Sequence, residues 1–225
     1  FGKSWDLHVV EVLKTSLEEN LQLIEDSVAF LVGRGREVIF DGEHFFDGFK
    51  ADDSYALDTL KAAERGGARI LVLCDTNGGT LPDELRRIFL RAKAAVDLPL
   101  GIHTHNDSGM AAANTITAVQ EGATQIQGTF NGYGERCGNA NLCSVIPTLE
   151  LKLGKKTIGA DKMAELMEFS RFLSEIANVS HDHHQPYVGE SAYAHKGGVH
   201  VDAMTKNSLC YEHEDPEATG NVRRF

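Results

Sequence analysis

One pattern recurs along the chain: a short apolar run that ends in a polar cluster. Val38-Ile39-Phe40 leads into Asp41-Gly42-Glu43-His44, and Ile70-Leu71-Val72-Leu73-Cys74 into Asp75-Thr76-Asn77-Gly78. Leu98–Ile102 leads into His103-Thr104-His105-Asn106-Asp107, and Thr124–Gly128 into Asn131-Gly132-Tyr133-Gly134-Glu135-Arg136. Positions 41, 75, 105 and 131 stand 34, 30 and 26 residues apart. That is the length of a strand plus a helix, not of a helical repeat. Apolar strands alternating with helices require a parallel sheet covered by helices. The chemistry then collects at the C-terminal strand ends, in a (β/α)8 barrel or in an open doubly wound sheet.

The stretches between the strands read as helices. Leu17, Leu21, Ile24, Val28 and Leu31 form one apolar stripe. Thr15 with Glu18, or Ser16 with Glu19, fits a capping box at its start, and Gly33 fits its stop. Further helices are expected over Tyr55–Ala63, after a cap at Thr80, over Ala111–Glu121 and, as one piece, over Asp161–Asn178. Ala192–Met204 reads as another, weakened by Gly197-Gly198, and His181–Pro186 as a polar loop. Four complete strand–helix units are visible, plus Phe1-Gly2-Lys3-Ser4 as the tail of an earlier strand, where a full barrel needs eight. The expected organisation is 1–155 as a partial barrel and 156–225 as a helical subdomain.

Composition narrows the function. The chain has 225 residues, 42% hydrophobic and 24% charged, which supports a packed core. A net charge of −11, with no basic run, argues against nucleic acid or an anionic membrane as partner. The apolar runs are too short to span a bilayer, and no signal peptide is visible. Cys74, Cys137, Cys143 and Cys210 form no CxxC pair and suit reduced thiols, hence an expected cytoplasmic location.

His103-x-His105 is the sharpest local signal. Residues i and i+2 of a strand share a face, so two imidazoles converge at a strand end, as a divalent metal requires. The plain alternative is one buried and one surface histidine. Glu43 is placed to act as a general base at a strand mouth, or belongs to a solvated acidic loop. Thr76 offers a hydroxyl before a helix, or sits in an ordinary turn. The loop Gly132–Asn139 is glycine-rich but lacks both the Lys-Ser/Thr of a Walker loop and dinucleotide spacing; Asn139 brings an amide oxygen suited to a hard metal. His181-Asp182-His183-His184 looks like a metal cluster, though a solvated loop is the plainer reading, and His195, His200 and Tyr211 read as exposed polar residues of the appendage.

In this order the motifs resemble the DRE-TIM metallolyases, a family of isopropylmalate, homocitrate and citramalate synthases and hydroxymethylglutaryl-CoA lyase. The run Phe1–His8, Phe40–Gly48, Leu73–Gly79, Gly134–Asn141, His184–Gly189, Ala194–His200 and Tyr211-Glu212-His213 look like the citramalate synthase branch. Glu135-Arg136 stand where a lyase carries a cysteine loop, which disfavours the lyase. The resemblance implies the C-terminal part of a TIM barrel followed by a helical subdomain. It implies metal ligands at His103, His105 and Asn139, a catalytic Glu43, a keto-acid-binding Thr76, and catalytic His200 and Tyr211 reaching into a partner subunit of a homodimer.

The reaction implied is an acyl transfer. Acetyl-CoA condenses with pyruvate to give (R)-citramalate and CoA, a step toward isoleucine, with Mg²⁺ or Mn²⁺, or Zn²⁺, as the metal. Isopropylmalate or homocitrate synthesis, and a silent fragment that only folds and dimerises, are the alternatives. The family's first-strand Asp and Arg motif and its regulatory domain have no match in this sequence. The isolated chain is accordingly expected to be inactive and to self-associate.

Overall fold

The computed structural model describes residues 1–225, which divide into two compact units: 1–128 with 134–140, and 129–133 with 141–225. The first unit holds five strands, β1 (Gly2–Lys3), β2 (Ile39–Glu43), β3 (Ile70–Asp75), β4 (Leu100–Thr104) and β5 (Gln125–Gln127). All neighbours pair in parallel and in sequence order, β1-β2-β3-β4-β5. Each crossover carries a helix: Leu17–Gly33, Asp53–Arg65, Pro82–Lys93 and Ala111–Gln120. No helix is long and apolar enough to cross a membrane.

Alternation along the strands sorts the residues into two faces. Phe40, Leu71, Leu73, Leu100 and Ile102 pack against Ile24, Val28, Leu60, Leu85 and Phe89 of the helices, forming the core. The other face carries Lys3, Ile39, Asp41, Glu43, Ile70, Val72, Cys74, Gly101, His103, Gln125 and Gln127, a mixed set that turns polar toward the C-terminal strand ends. Gly101 is needed there: a Cβ would stand 2.9 Å from Gln125 Oε1 and 3.0 Å from Val72 Cγ2. So the helix-facing side supplies the burial, and the inner side is left for chemistry.

The helix over Leu17–Gly33 starts as a capping residue requires, with Ser16 Oγ accepting from the Glu19 amide at 3.1 Å. Thr80 behaves differently from expectation. The helix begins at Pro82, and Thr80 instead donates its hydroxyl and amide to the buried Asp75 carboxylate at 2.8 and 3.3 Å. Burial leads in pushing the Asp75 pKa up, with Thr80 opposing it.

The second unit packs Cys143, Leu166, Met167, Tyr187 and Val188 into a smaller core. The single helix expected over Asp161–Asn178 is two, Ala160–Met163 and Leu166–Ala177. Gly220, at φ 72°, passes so close to the break that a Cβ there would meet the Ala164 carbonyl at 2.1 Å. The helix expected over Ala192–Met204 is confined to Gly198–Lys206. Ala194 instead forms a parallel bridge with Arg224, the His195 amide donating to Arg224 O at 2.8 Å and the Arg224 amide to Tyr193 O at 3.0 Å.

Candidate metal and active site

The site is built on the inner face of the first unit, at the C-terminal ends of β2–β5. His103 and His105 do share a face: their Nε2 atoms lie 3.2 Å apart. Asn139 Nδ2 stands 3.2 Å from the same His103 Nε2. The loop that delivers Asn139 docks along the end of β4. The Asn106 amide donates to Gly138 O at 2.9 Å and the Ala140 amide to Thr104 O at 3.0 Å, so His105 and Asn139 face each other in an antiparallel bridge. Gly134 makes room for the amide, since a Cβ would sit 1.9 Å from Asn139 Oδ1.

Arg136 ties this loop to its neighbours. Its guanidinium binds both oxygens of Asp107, at 2.7 and 2.9 Å, and reaches Thr76 O at 2.7 Å. The side-chain bond to Arg136 holds the Asp107 carboxyl below its ordinary range. Gly78, at φ 63°, completes the arrangement, because a Cβ would meet Asp107 Oδ2 at 2.5 Å.

Glu43 closes β2 opposite Lys3 and forms an ion pair with it. Thr76 Oγ1 accepts the amide of His44 at 2.9 Å. His44 takes the left-handed conformation, φ 57°, and its ring lies 4.2 Å from that of His8, which stacks on Trp5. Accepting from His44 leaves the half-buried Thr76 its O–H as a donor.

Burial, then the neighbouring His103 and Arg136, lowers the His105 pKa. A neutral His105 imidazole is suited to ligation. No group of three or more His, Cys, Asp or Glu side chains is arranged to hold a metal; beside the histidine pair stands the Asn139 amide, which presents Nδ2 to His103 and would ligate an ion through Oδ1. Two imidazole nitrogens 3.2 Å apart, the Asn139 amide beside them and Glu43 on the same face fit a divalent ion.

In the second unit, His200 and Tyr211 stack, with ring centroids 4.0 Å apart and an 18° interplanar angle. His195 does not stand alone. Its Nε2 lies 3.4 Å from the buried Glu212, which Arg223 grips at 2.8 and 2.6 Å. The histidines of 181–184 do not converge: His181 Nε2 bonds Ser170 Oγ at 2.9 Å, while His183 faces Glu190 at 3.2 Å. Sequence reasoning missed Gln127, which contacts His103 Nδ1 at 2.9 Å and Asp41 at 2.9 Å. Its signal was the Gln125-Ile126-Gln127 alternation, which puts two amides on the inner face.

Residues 1–172 match the HMGL-like family model. The chain belongs to the HMGL-like family. Residues 187–225 match a second model, the homocitrate synthase post-HMGL domain-like module. Over the whole chain it is 56% identical to the (R)-citramalate synthase of Geobacter sulfurreducens and 54% identical to that of Synechocystis, covering 42% and 43% of those proteins. The chain thus spans less than half the length of these curated relatives. The HMG-CoA lyase of Bacillus subtilis superposes with a TM-score of 0.69 at 21% identity, over 80% of this chain and 62% of that one, which shows the barrel-type fold. One expectation is corrected. The sequence reading gave the C-terminal part of a barrel; in this chain the barrel portion, matched over residues 1–172, is the N-terminal part, and the post-HMGL module follows it over 187–225.

Proposed function

We propose that this HMGL-like chain serves an (R)-citramalate synthase, joining the acetyl group of acetyl-CoA to pyruvate. The observation that carries the proposal is the convergence of His103, His105 and Asn139 on the face that also bears Glu43. Identity of 46–56% over the full chain to five proteins of that name supports the choice of keto acid.

His103, His105 and Asn139 would hold the ion, Mg²⁺ or Mn²⁺ by the hardness of the substrate oxygens. Bound there, a divalent ion supplies Lewis-acid polarisation of a keto acid. Glu43 takes a proton from the acetyl methyl of the thioester, and Lys3 keeps its carboxylate oriented. The deprotonated carbon bonds to the keto carbon of pyruvate as the C=O π pair moves onto the oxygen, which takes up a proton to become the hydroxyl of the product. Water then cleaves the thioester C–S bond, leaving citramalate and the CoA thiol. Thr76 donates its hydroxyl to the pyruvate carboxylate. His200 and Tyr211, as one stacked pair, assist from the post-HMGL module in a homodimer.

The test is CoA release by the full-length protein with pyruvate, 2-oxoisovalerate or 2-oxoglutarate. Pyruvate should give the highest kcat/KM, and Glu43→Gln should lower kcat by about 10²–10⁴-fold. A kcat/KM favouring 2-oxoisovalerate would reassign the chain to isopropylmalate synthesis, and one favouring 2-oxoglutarate to homocitrate synthesis.

A further inference from the structure

We infer that Asp41 and Gln127 are positioning residues that fix the tautomer of His103. The inference rests on the reading of His103 as a metal ligand, and it deepens that reading. Three hydrogen-bonding groups line up across the inner face: Asp41 Oδ1 to Gln127 Nε2 at 2.9 Å, and Gln127 Oε1 to His103 Nδ1 at 2.9 Å. A carboxylate only accepts hydrogen bonds, so Gln127 must turn its amide N–H toward Asp41. Its carbonyl oxygen is then committed to His103. That oxygen also only accepts, so Nδ1 of His103 carries the proton. Nε2 is left with its lone pair, and Nε2 is the atom that faces His105 Nε2 and Asn139 at 3.2 Å.

A ligating histidine is commonly oriented by an acceptor on its other nitrogen, and loss of that acceptor typically costs about 10–100-fold in metal affinity. Here the acceptor is an amide, with the carboxylate one step further out. The negative charge of Asp41 therefore sets the direction of the relay without sitting on the histidine itself. The participants come from three strands, β2, β4 and β5, and so from positions 41, 103 and 127, which no local motif connects.

The tautomer is read directly by ¹H–¹⁵N NMR of the histidine rings in the metal-free chain, with His103 assigned through His103→Ala. The expected result is a proton on Nδ1. Gln127→Leu and Asp41→Leu should each release the ring toward the Nε2–H form and weaken Mn²⁺ binding about 10–100-fold. The double variant Asp41→Asn with Gln127→Glu reverses the relay. The new amide at position 41 would donate to the new carboxylate at position 127, and that carboxylate would accept from Nδ1 of His103. The Nδ1–H form and Mn²⁺ affinity should then return. A proton on Nε2 in the unaltered chain, or an Nδ1–H form indifferent to both single variants, overturns the inference. Tautomer shifts as expected in a chain that binds no Mn²⁺ in any form would keep the relay and remove the metal reading.

Discussion

Gln127 on β5 donates a hydrogen bond to Asp41 on β2 at 2.9 Å, although β3 and β4 lie between them. In a flat sheet three strand spacings would hold these backbones about 14 Å apart. Two side chains of this length meet only if the sheet curls toward its polar face. The contact therefore records barrel-like curvature across four strands, β2 to β5, and it explains why the functional side chains of separate strands meet. The curl brings Glu43, His103 and Gln127 onto one concave surface, while the convex side is occupied by the helices.

Gly78→Ala should destabilise the first unit. The position combines φ 63° with a Cβ site 2.5 Å from Asp107 Oδ2 and 2.9 Å from the His105 carbonyl carbon. Left-handed strain alone costs about 1–3 kcal/mol. Denaturant unfolding should show a lower midpoint, and an unchanged midpoint would mean the turn adapts freely.

Arg136→Lys should loosen the loop that carries Asn139 while leaving the fold in place. A lysine cannot reproduce the two-pronged grip on Asp107 together with the bond to Thr76 O. Amides of Gly138 and Ala140 should exchange with solvent faster, and Mn²⁺ affinity should fall about tenfold. Exchange rates equal to those of the unaltered chain would remove Arg136 as a latch.

The second unit should lose stability in acid through Glu212. The bond to Arg223 holds its pKa below the ordinary value, against an opposing push from burial. A depressed carboxyl adds stability above its unfolded pKa, and that stability is lost as pH falls through the folded pKa. Glu212→Gln should thus be less stable than the parent at neutral pH, with the difference shrinking on acidification below about pH 4.5. A difference that does not change with pH would refute the assignment.

Much of the sheet was legible in the sequence because its strands are buried on the helix side and end abruptly in polar residues. His103-x-His105 could be placed on one face from the two-residue period alone. The relay through Gln127 could not, since it depends on curvature that brings residues 86 positions apart into contact. Thr80 was misread because a capping hydroxyl and one satisfying a buried carboxylate look alike in sequence. The break at Ala164 was hidden for a similar reason: Gly220, which packs against it, lies 56 residues downstream. Glu212 escaped notice because its partners, His195 and Arg223, meet it only through tertiary folding.

The most direct test of the account is Mn²⁺ binding to this chain, followed by paramagnetic broadening of its histidine resonances. One ion per chain should bind, broadening His103 and His105 ahead of the other eight histidines, and His103→Ala with His105→Ala should abolish binding without unfolding the chain. Binding that survives the double substitution, or broadening centred on the histidines of 181–184, would contradict a metal centre on the inner face of the sheet.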